Sequence, residues 1–201
     1  MRIAFLRHGP TEWNAVGRFQ GHTDIPLSAE GLAKMRGLRP PAPFHAARPF
    51  VSPLIRARQT AEALGLQNPV ADARLMEQNW GSWEGLSREQ ILARDGVDAF
   101  SRAGMVVAFN PPGGESTSQL HDRVAAFLKD AAQDDSDAIA VAHLGVLRAA
   151  YTLATGWDMA TPMPAELDIS KALVLEADAL GNCRIHALNV ELVTAPSFAR
   201  K

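Results

Sequence analysis

The sequence predicts an α/β fold, a three-layer α/β/α sandwich around a mostly parallel sheet with a C-terminal antiparallel hairpin and a helical insertion over the site. Three observations predict it. Two short apolar runs, Met1–Leu6 and Ala138–Ala142, each stop at a histidine and a turn, Arg7-His8-Gly9 and His143-Leu144-Gly145. Runs of this length read as buried central strands. Between them, strand-like and helix-like segments alternate, the pattern of a parallel sheet covered on both faces. The last third instead offers two strands, near Asp168–Glu176 and Cys183–Val190, joined by a turn containing Gly181-Asn182, which is a hairpin signature.

In chain order, Thr11–Pro26 is a polar loop without a clean period. A helix then starts at Ser28 as cap, stapled by Leu27 and Leu32 and continued by Met35 and Leu38, and it stops at Arg39-Pro40-Pro41-Ala42-Pro43. A strand at Pro49–Ser52 leads into a helix with Ser52 as cap, Pro53 in its first turn and Leu54, Ala57, Ala61 and Leu64 on one face. Arg56 therefore falls in a first helical turn, just past a strand. A third strand is expected near Val70–Leu75, running into Met76-Glu77. Ser87 and Gln90 form a capping box for a helix ending at Gly96, and Glu84–Gly114 reads as a lid-like insertion. Ser116 and Gln119 cap a longer helix carrying Leu120, Val124, Phe127, Leu128 and Ala131. The helix after His143 carries Val146, Leu147, Ala150 and Leu153 and stops at Gly156, and a frayed tail is expected from Thr194.

Bulk properties bound the function. At 201 residues, 47% of them hydrophobic, the chain is expected to make one domain, residues 1–201. A formal charge of −2 and a pI near 6.3 argue against a general nucleic-acid or membrane-surface binder. The lone Cys183 excludes an intrachain disulfide and a cysteine-rich zinc site. No leader-like or membrane-spanning run is visible, so a cytoplasmic protein, monomer or homodimer, is expected.

The chemistry lies where strands end. His8, Arg56, Glu77 and His143 all fall at strand ends or in the turns after them, the edge where open α/β folds bind ligands. Transfer of a phosphoryl group to an imidazole needs an unprotonated nitrogen, donors for three charged oxygens and a proton for the leaving group. Arg7 and Arg56 supply guanidinium forks that match phosphate oxygens, His143 adds a donor, and positive surroundings keep His8 unprotonated. Glu77, given a pocket that raises its pKa, can serve as acid and then as base. No cofactor and no metal are implied, because His22, His45, His121 and His186 are scattered without ligand spacing.

The segments Arg7-His8-Gly9-Pro10-Thr11-Glu12-Trp13-Asn14, Gln20-Gly21-His22-Thr23-Asp24-Ile25-Pro26-Leu27 and Ser52-Pro53-Leu54-Ile55-Arg56-Ala57-Arg58-Gln59-Thr60-Ala61 together resemble the signatures of the histidine phosphatase superfamily, in its phosphoglycerate-mutase-like branch. The resemblance runs from about Arg2 to Arg148. It implies that His8 accepts the phosphoryl group, that Arg7 and Arg56 bind it, that Glu77 is the acid/base and His143 the second histidine. It also implies that Asn14, Gln20 and Gly21 contact the phosphate or the rest of the substrate. Two positions depart from the pattern: Pro10 stands where Glu is frequent, and Leu144 stands where the family has a His-Gly pair beside the phosphate. Arg18–Leu27 looks like the opening of α-ribazole phosphatases and broad-specificity relatives. The implied function is a metal-independent phosphomonoesterase acting on a small phosphorylated metabolite. A mutase-type transfer is the alternative within the family, and a non-catalytic phospho-ligand binder the alternative outside it.

Plainer assignments fit the remaining motifs. Trp80 and Trp83 are packing anchors, Arg58 a solvated or salt-bridged helix residue, Gly113-Gly114-Glu115-Ser116 a turn and cap, and Asp134-Asp135 with Asp137 a solvated turn.

Overall fold

The computed structural model describes residues 1–105, 110–158 and 163–195, with side chains for all of these except 98–105. Six strands form one sheet: β1 (Arg2–Arg7), β3 (Arg48–Val51), β4 (Val70–Ala71), β5 (Ala138–Ala142), β6 (Ala172–Ala177) and β7 (Cys183–Val190), in the order β4-β3-β5-β1-β6-β7. The four strands β4, β3, β5 and β1 run parallel. The pair β6 and β7 is antiparallel, as the hairpin expectation held. A separate small ladder joins β2 (Leu38–Arg39) to β8 (Val193–Thr194).

Alternation along the strands divides the core. In β1, Ile3 and Phe5 face one layer while Ala4 and Leu6 face the other; in β5, Ala138, Ala140 and Ala142 oppose Ile139 and Val141 in the same way. The first layer is covered by α5 (Thr117–Ala131) and α6 (Leu144–Thr155), the second by α2 (Ala29–Arg36) and α3 (Ile55–Ala63). The alanines of β5 leave room for large side chains on α5: Phe127 meets Phe5 and Phe50 edge-on, at ring separations of 6.3 and 5.3 Å.

Local signals set most boundaries. Ser28, Ser116 and Ser87 cap their helices as expected, each hydroxyl accepting the amide three residues on. Gly96 takes φ +83°, a left-handed value suited to glycine, and breaks α4 (Arg88–Met105) where the sequence placed a stop. Five expectations need correction. The loop after β1 contains one helical turn, α1 (Glu12–Ala15), closed by a Thr11/Asn14 capping box. The strand expected at Val70–Leu75 is only Val70–Ala71, because the Asp72 side chain accepts the Arg74 amide and starts a 3-10 turn over Ala73–Leu75. Ser52 does not cap α3; that helix starts after Leu54, and the Asp24 carboxylate, from a distant loop, takes the Ile55 amide at 2.6 Å. Asp137 is not a solvated turn residue, since it accepts the Arg2 amide at 2.9 Å and pairs with the Arg2 guanidinium. Thr194 lies in the ladder with Leu38, so the tail expectation applies only to 196–201, outside the described residues.

Residues Trp83 and Ile91, with Phe19, Trp80 and Leu86 around them, build a third apolar cluster. It seats the start of the expected Glu84–Gly114 insertion against the loop after α1; the remainder of that insertion falls partly outside the described residues.

Candidate active site

Because β3, β5 and β1 are parallel, their C-terminal ends share one edge, and hydrogen bonds carry the order one residue further. The His8 amide donates to the Ala142 carbonyl (2.9 Å) and the Ser52 amide to the Val141 carbonyl (3.0 Å). His8 and His143 thus stand side by side, ring centroids 5.0 Å apart. Their exposures are 7% and 0%.

The His8 ring is fixed by its neighbour. Its Nδ1 lies 2.7 Å from the Gly9 carbonyl, which can only accept, so Nδ1 carries the proton and Nε2 is the unprotonated nitrogen. Burial, with the Arg56 and Arg7 charges, pulls its pKa down to about 3. The ring is therefore neutral throughout the physiological range. Gly9 is itself held by Thr60, whose hydroxyl accepts the Gly9 amide at 3.0 Å, and Met35 fills the space that a side chain at position 9 would need.

Arg56 is wholly buried. It donates through Nη1 to the Thr23 carbonyl (3.1 Å) and through Nη2 to the Gly21 carbonyl (2.7 Å). The loop making those carbonyls is pinned by Glu84, whose carboxylate takes the amides of His22 (2.8 Å), Thr23 (2.7 Å) and Trp80 (3.2 Å). A side chain at Gly21 would collide with Glu84 and the Trp80 backbone. Gly21, expected as a substrate contact, gives its carbonyl to Arg56. Buried polar atoms without a hydrogen-bond partner remain on Arg7 (Nε), Arg56 (Nε) and His143 (Nδ1). Orphaned buried groups are rare in folded proteins, and clustered donors of this kind mark a place for an anion.

His143 caps α6 only by its backbone. Its Nε2 is 2.8 Å from the Ser52 hydroxyl, which donates to that nitrogen when Nδ1 keeps the ring proton and accepts from it in the other tautomer. Burial first, then the His8, Arg56, Arg123 and Arg7 charges, hold His143 well below the usual histidine range.

Glu77 is 8% exposed. Its Oε1 accepts the amides of Gln78 and Gly145, both at 2.9 Å, so a proton on this carboxyl sits on Oε2. Burial raises its pKa, against the opposing pull of the Gln78 amide, the Arg56 and Arg7 charges and the Gly145 amide. The backbone bearing it is anchored by Arg123, which donates to the carbonyls of Arg74 (2.6 Å), Met76 (2.7 Å) and Glu77 (3.0 Å) while paired with Glu115. A side chain at Gly145 would strike the Glu77 carboxyl. The glycine that this contact requires is thus Gly145, and Leu144 before it lines the neighbouring cavity.

Beside these groups lies a cavity of about 280 Å³ whose walls include Arg7, His8, Asn14, Gln20, Glu77 and Leu144. Asn14 faces it with its amide oxygen already taken by Thr11, leaving the NH₂ end for a ligand. Gln20 donates from Nε2 to Thr11, and its buried Oε1 has no hydrogen-bond partner. Thr60, Ser52, Glu84, Arg123 and Gly145 went unnoticed as site residues. Thr60 and Ser52 lay within the motif already singled out around Arg56, and Gly145 closed the strand–His–turn signal; Glu84 and Arg123 carried no signal beyond ordinary surface charge. Trp80 and Trp83 pack as anchors, stacked with rings 6.2 Å apart, and Arg58 is exposed. Among the described residues no three His, Cys, Asp or Glu side chains gather as a metal cage.

Comparison with known proteins bears on this geometry. Residues 3–190 match the model of the histidine phosphatase superfamily (branch 1). Phosphoserine phosphatase 1 of Hydrogenobacter thermophilus is 28% identical over 166 residues, 79% of this chain and 78% of that protein. The adenosylcobalamin/alpha-ribazole phosphatase of Salmonella typhimurium is 33% identical over 158 residues, 73% of this chain and 76% of that one. Among solved structures, a mycobacterial glucosyl-3-phosphoglycerate phosphatase in complex with VO3 superposes with a TM-score of 0.77 at 26% identity, covering 94% of this chain and 99% of that one.

Proposed function

The chain belongs to the histidine phosphatase superfamily, branch 1, and from that premise we propose that it hydrolyses phosphomonoesters through a phosphohistidine on His8, without a metal. One observation carries the reading: a neutral His8, its Nδ1 proton held by the Gly9 carbonyl, stands among the buried, unpartnered polar atoms of Arg7, Arg56 and His143. Phosphatase-named relatives support the same reaction class.

In the first half-reaction His8 Nε2 attacks phosphorus, the P–O ester bond breaks, and the departing alkoxide takes the proton from Glu77 Oε2. In the second, ionised Glu77 takes a proton from water, the resulting hydroxide attacks phosphorus, and the P–N bond breaks to release phosphate and return His8 to its neutral form. Arg7 and Arg56 hold the charge on the peripheral oxygens, which concentrates most of the catalytic stabilisation on prepositioned donors. Asn14 and the Leu144 wall contact the rest of the substrate. The substrate is a small phosphorylated metabolite, and a reducing cytoplasm, consistent with a lone Cys183, is the setting. No helix among the described residues is long and apolar enough to cross a membrane.

A panel of phosphomonoesters assayed with chelator present tests the proposal. Turnover by the wild type and none by His8→Ala is expected. Activity that needs an added divalent ion, or that survives in His8→Ala, would overturn it; return of the phosphoryl group to a second hydroxyl instead of water would establish the mutase alternative.

A further inference from the structure

The tautomer of His8 rests on one carbonyl, and that carbonyl belongs to a residue with no side chain to steady it. Gly9 carries the oxygen that takes the Nδ1 proton, at 2.7 Å, and a glycine backbone is the freest of all to rotate. Its orientation is imposed from outside. Met35 of α2 fills the space where a β-carbon at position 9 would stand. Pro10, next in the chain, has a fixed φ, and its carbonyl accepts the Ser28 amide at 3.0 Å. The third hold comes from α3, through Thr60.

Thr60 is wholly buried, as is the turn it touches. Its hydroxyl has one hydrogen and gives it to the Arg56 carbonyl at 2.7 Å, so a lone pair of the same oxygen is left for the Gly9 amide at 3.0 Å. Arg56 and Thr60 are four residues apart on α3 and therefore leave the same face of the helix. A single hydroxyl thus ties the backbone of the phosphate-binding arginine to the turn that holds the nucleophile's ring. Replacing it with a methyl group would leave the Gly9 amide buried without an acceptor, a costly state. Rotation of the Gly9 backbone relieves that cost, and it carries the neighbouring carbonyl off His8 Nδ1. A ring released from this acceptor is free to carry its proton on Nε2, where the lone pair needed for attack would be lost.

We propose that Thr60 is a positioning residue that acts through the Gly9 backbone to keep the His8 proton on Nδ1, and so keeps Nε2 available to attack phosphorus. The inference rests on the phosphatase reading for the use made of Nε2. Thr60 is not a wall of the reaction cavity, so its effect reaches the substrate only through His8.

The test pairs kinetics with nitrogen-15 NMR of the histidine rings, His8 being assigned by the signals lost in His8→Ala. The wild-type ring is expected to be protonated at Nδ1, and Thr60→Val to show a mixture of the two tautomers. Thr60→Val is expected to lower kcat about tenfold, the worth of one buried hydrogen bond. Competitive inhibition by orthophosphate, which reads the two arginines, should stay within about twofold of the wild type. Thr60→Ser keeps the hydroxyl and is expected to restore both the tautomer and most of kcat. Should Thr60→Val not fold, Thr60→Ala, which leaves room for a water at the Gly9 amide, is read against Thr60→Ser in the same way. A wild-type ring protonated at Nε2, or a tautomer unchanged in the variant that lacks the hydroxyl, would overturn the proposal; so would a loss of orthophosphate binding as large as the loss of kcat. A protein that hydrolyses no phosphomonoester yet shifts its His8 tautomer with Thr60 would fail as a phosphatase and keep the positioning role. One that hydrolyses them with a tautomer indifferent to Thr60 would do the reverse.

Discussion

The molecule contains two versions of one design, β1–His8–turn and β5–His143–α6, and the contrast between them separates two kinds of histidine. Both rings end neighbouring parallel strands, both are nearly or wholly buried, and both are kept neutral by burial beside guanidinium groups. They differ in what touches the ring. His8 gives its Nδ1 proton to a carbonyl and so leaves a lone pair on Nε2; His143 meets a hydroxyl, which lets its other nitrogen keep a proton. The chain after each follows suit. Gly9-Pro10 turns away from its ring into a loop that builds the cavity wall, whereas Leu144 starts a helix at once and sends the Gly145 amide to Glu77. A backbone carbonyl sets the tautomer of one imidazole, and a serine hydroxyl orients the other.

Four substitutions break or sharpen that contrast. His8→Asn should have the largest effect, a loss on the order of 10⁴-fold or more and no phosphoryl label trapped on the protein; such a label on the wild type should be acid-labile and alkali-stable. Glu77→Gln should lower kcat/KM by about 10²- to 10⁴-fold for esters of poor leaving groups, and much less for an aryl ester whose phenolate leaves unaided. The sign of its pH profile follows from the raised pKa: the acid form donates the proton, so activity on poor leaving groups falls as pH rises through that value, and Glu77→Gln should lose this alkaline limb. A limb that persists in the variant would assign it to another group. His143→Gln should cost about 10²- to 10³-fold while still forming the labelled intermediate, because it removes a donor and leaves the nucleophile. An unlabelled His143→Gln protein would mean that the two histidines are not divided as the hydrogen bonds suggest. Ser52→Ala should have the smallest effect, about tenfold on kcat with little change in KM, since it frees the His143 ring without touching substrate. Partial rescue by Ser52→Thr would distinguish orientation from packing.

Much of this was legible in the chain. The apolar runs ending at His8 and His143, the capping serines Ser28, Ser87 and Ser116 and the glycine break at position 96 are local signals, and local physics acts on a few adjacent residues. The supports were less visible. Ser52 looked like a helix cap because its position before Pro53 satisfies that rule, yet its hydroxyl serves a histidine 91 residues away. Asp24, which does serve that helix, lies 31 residues before it. Arg123 and Glu84 anchor the backbone of Glu77 and the carbonyls that hold Arg56, through contacts with segments distant in the chain.

By itself, then, the sequence determined the alternation of strand and helix and the hairpin at its end, because period, capping and turn chemistry are encoded in neighbouring side chains. Only the tertiary structure decided which ring nitrogen of His8 faces a carbonyl, which Glu77 oxygen accepts two backbone amides and which carbonyls hold Arg56. Those outcomes depend on hydrogen bonds and burial between segments far apart in the chain, and no run of adjacent residues contains that information.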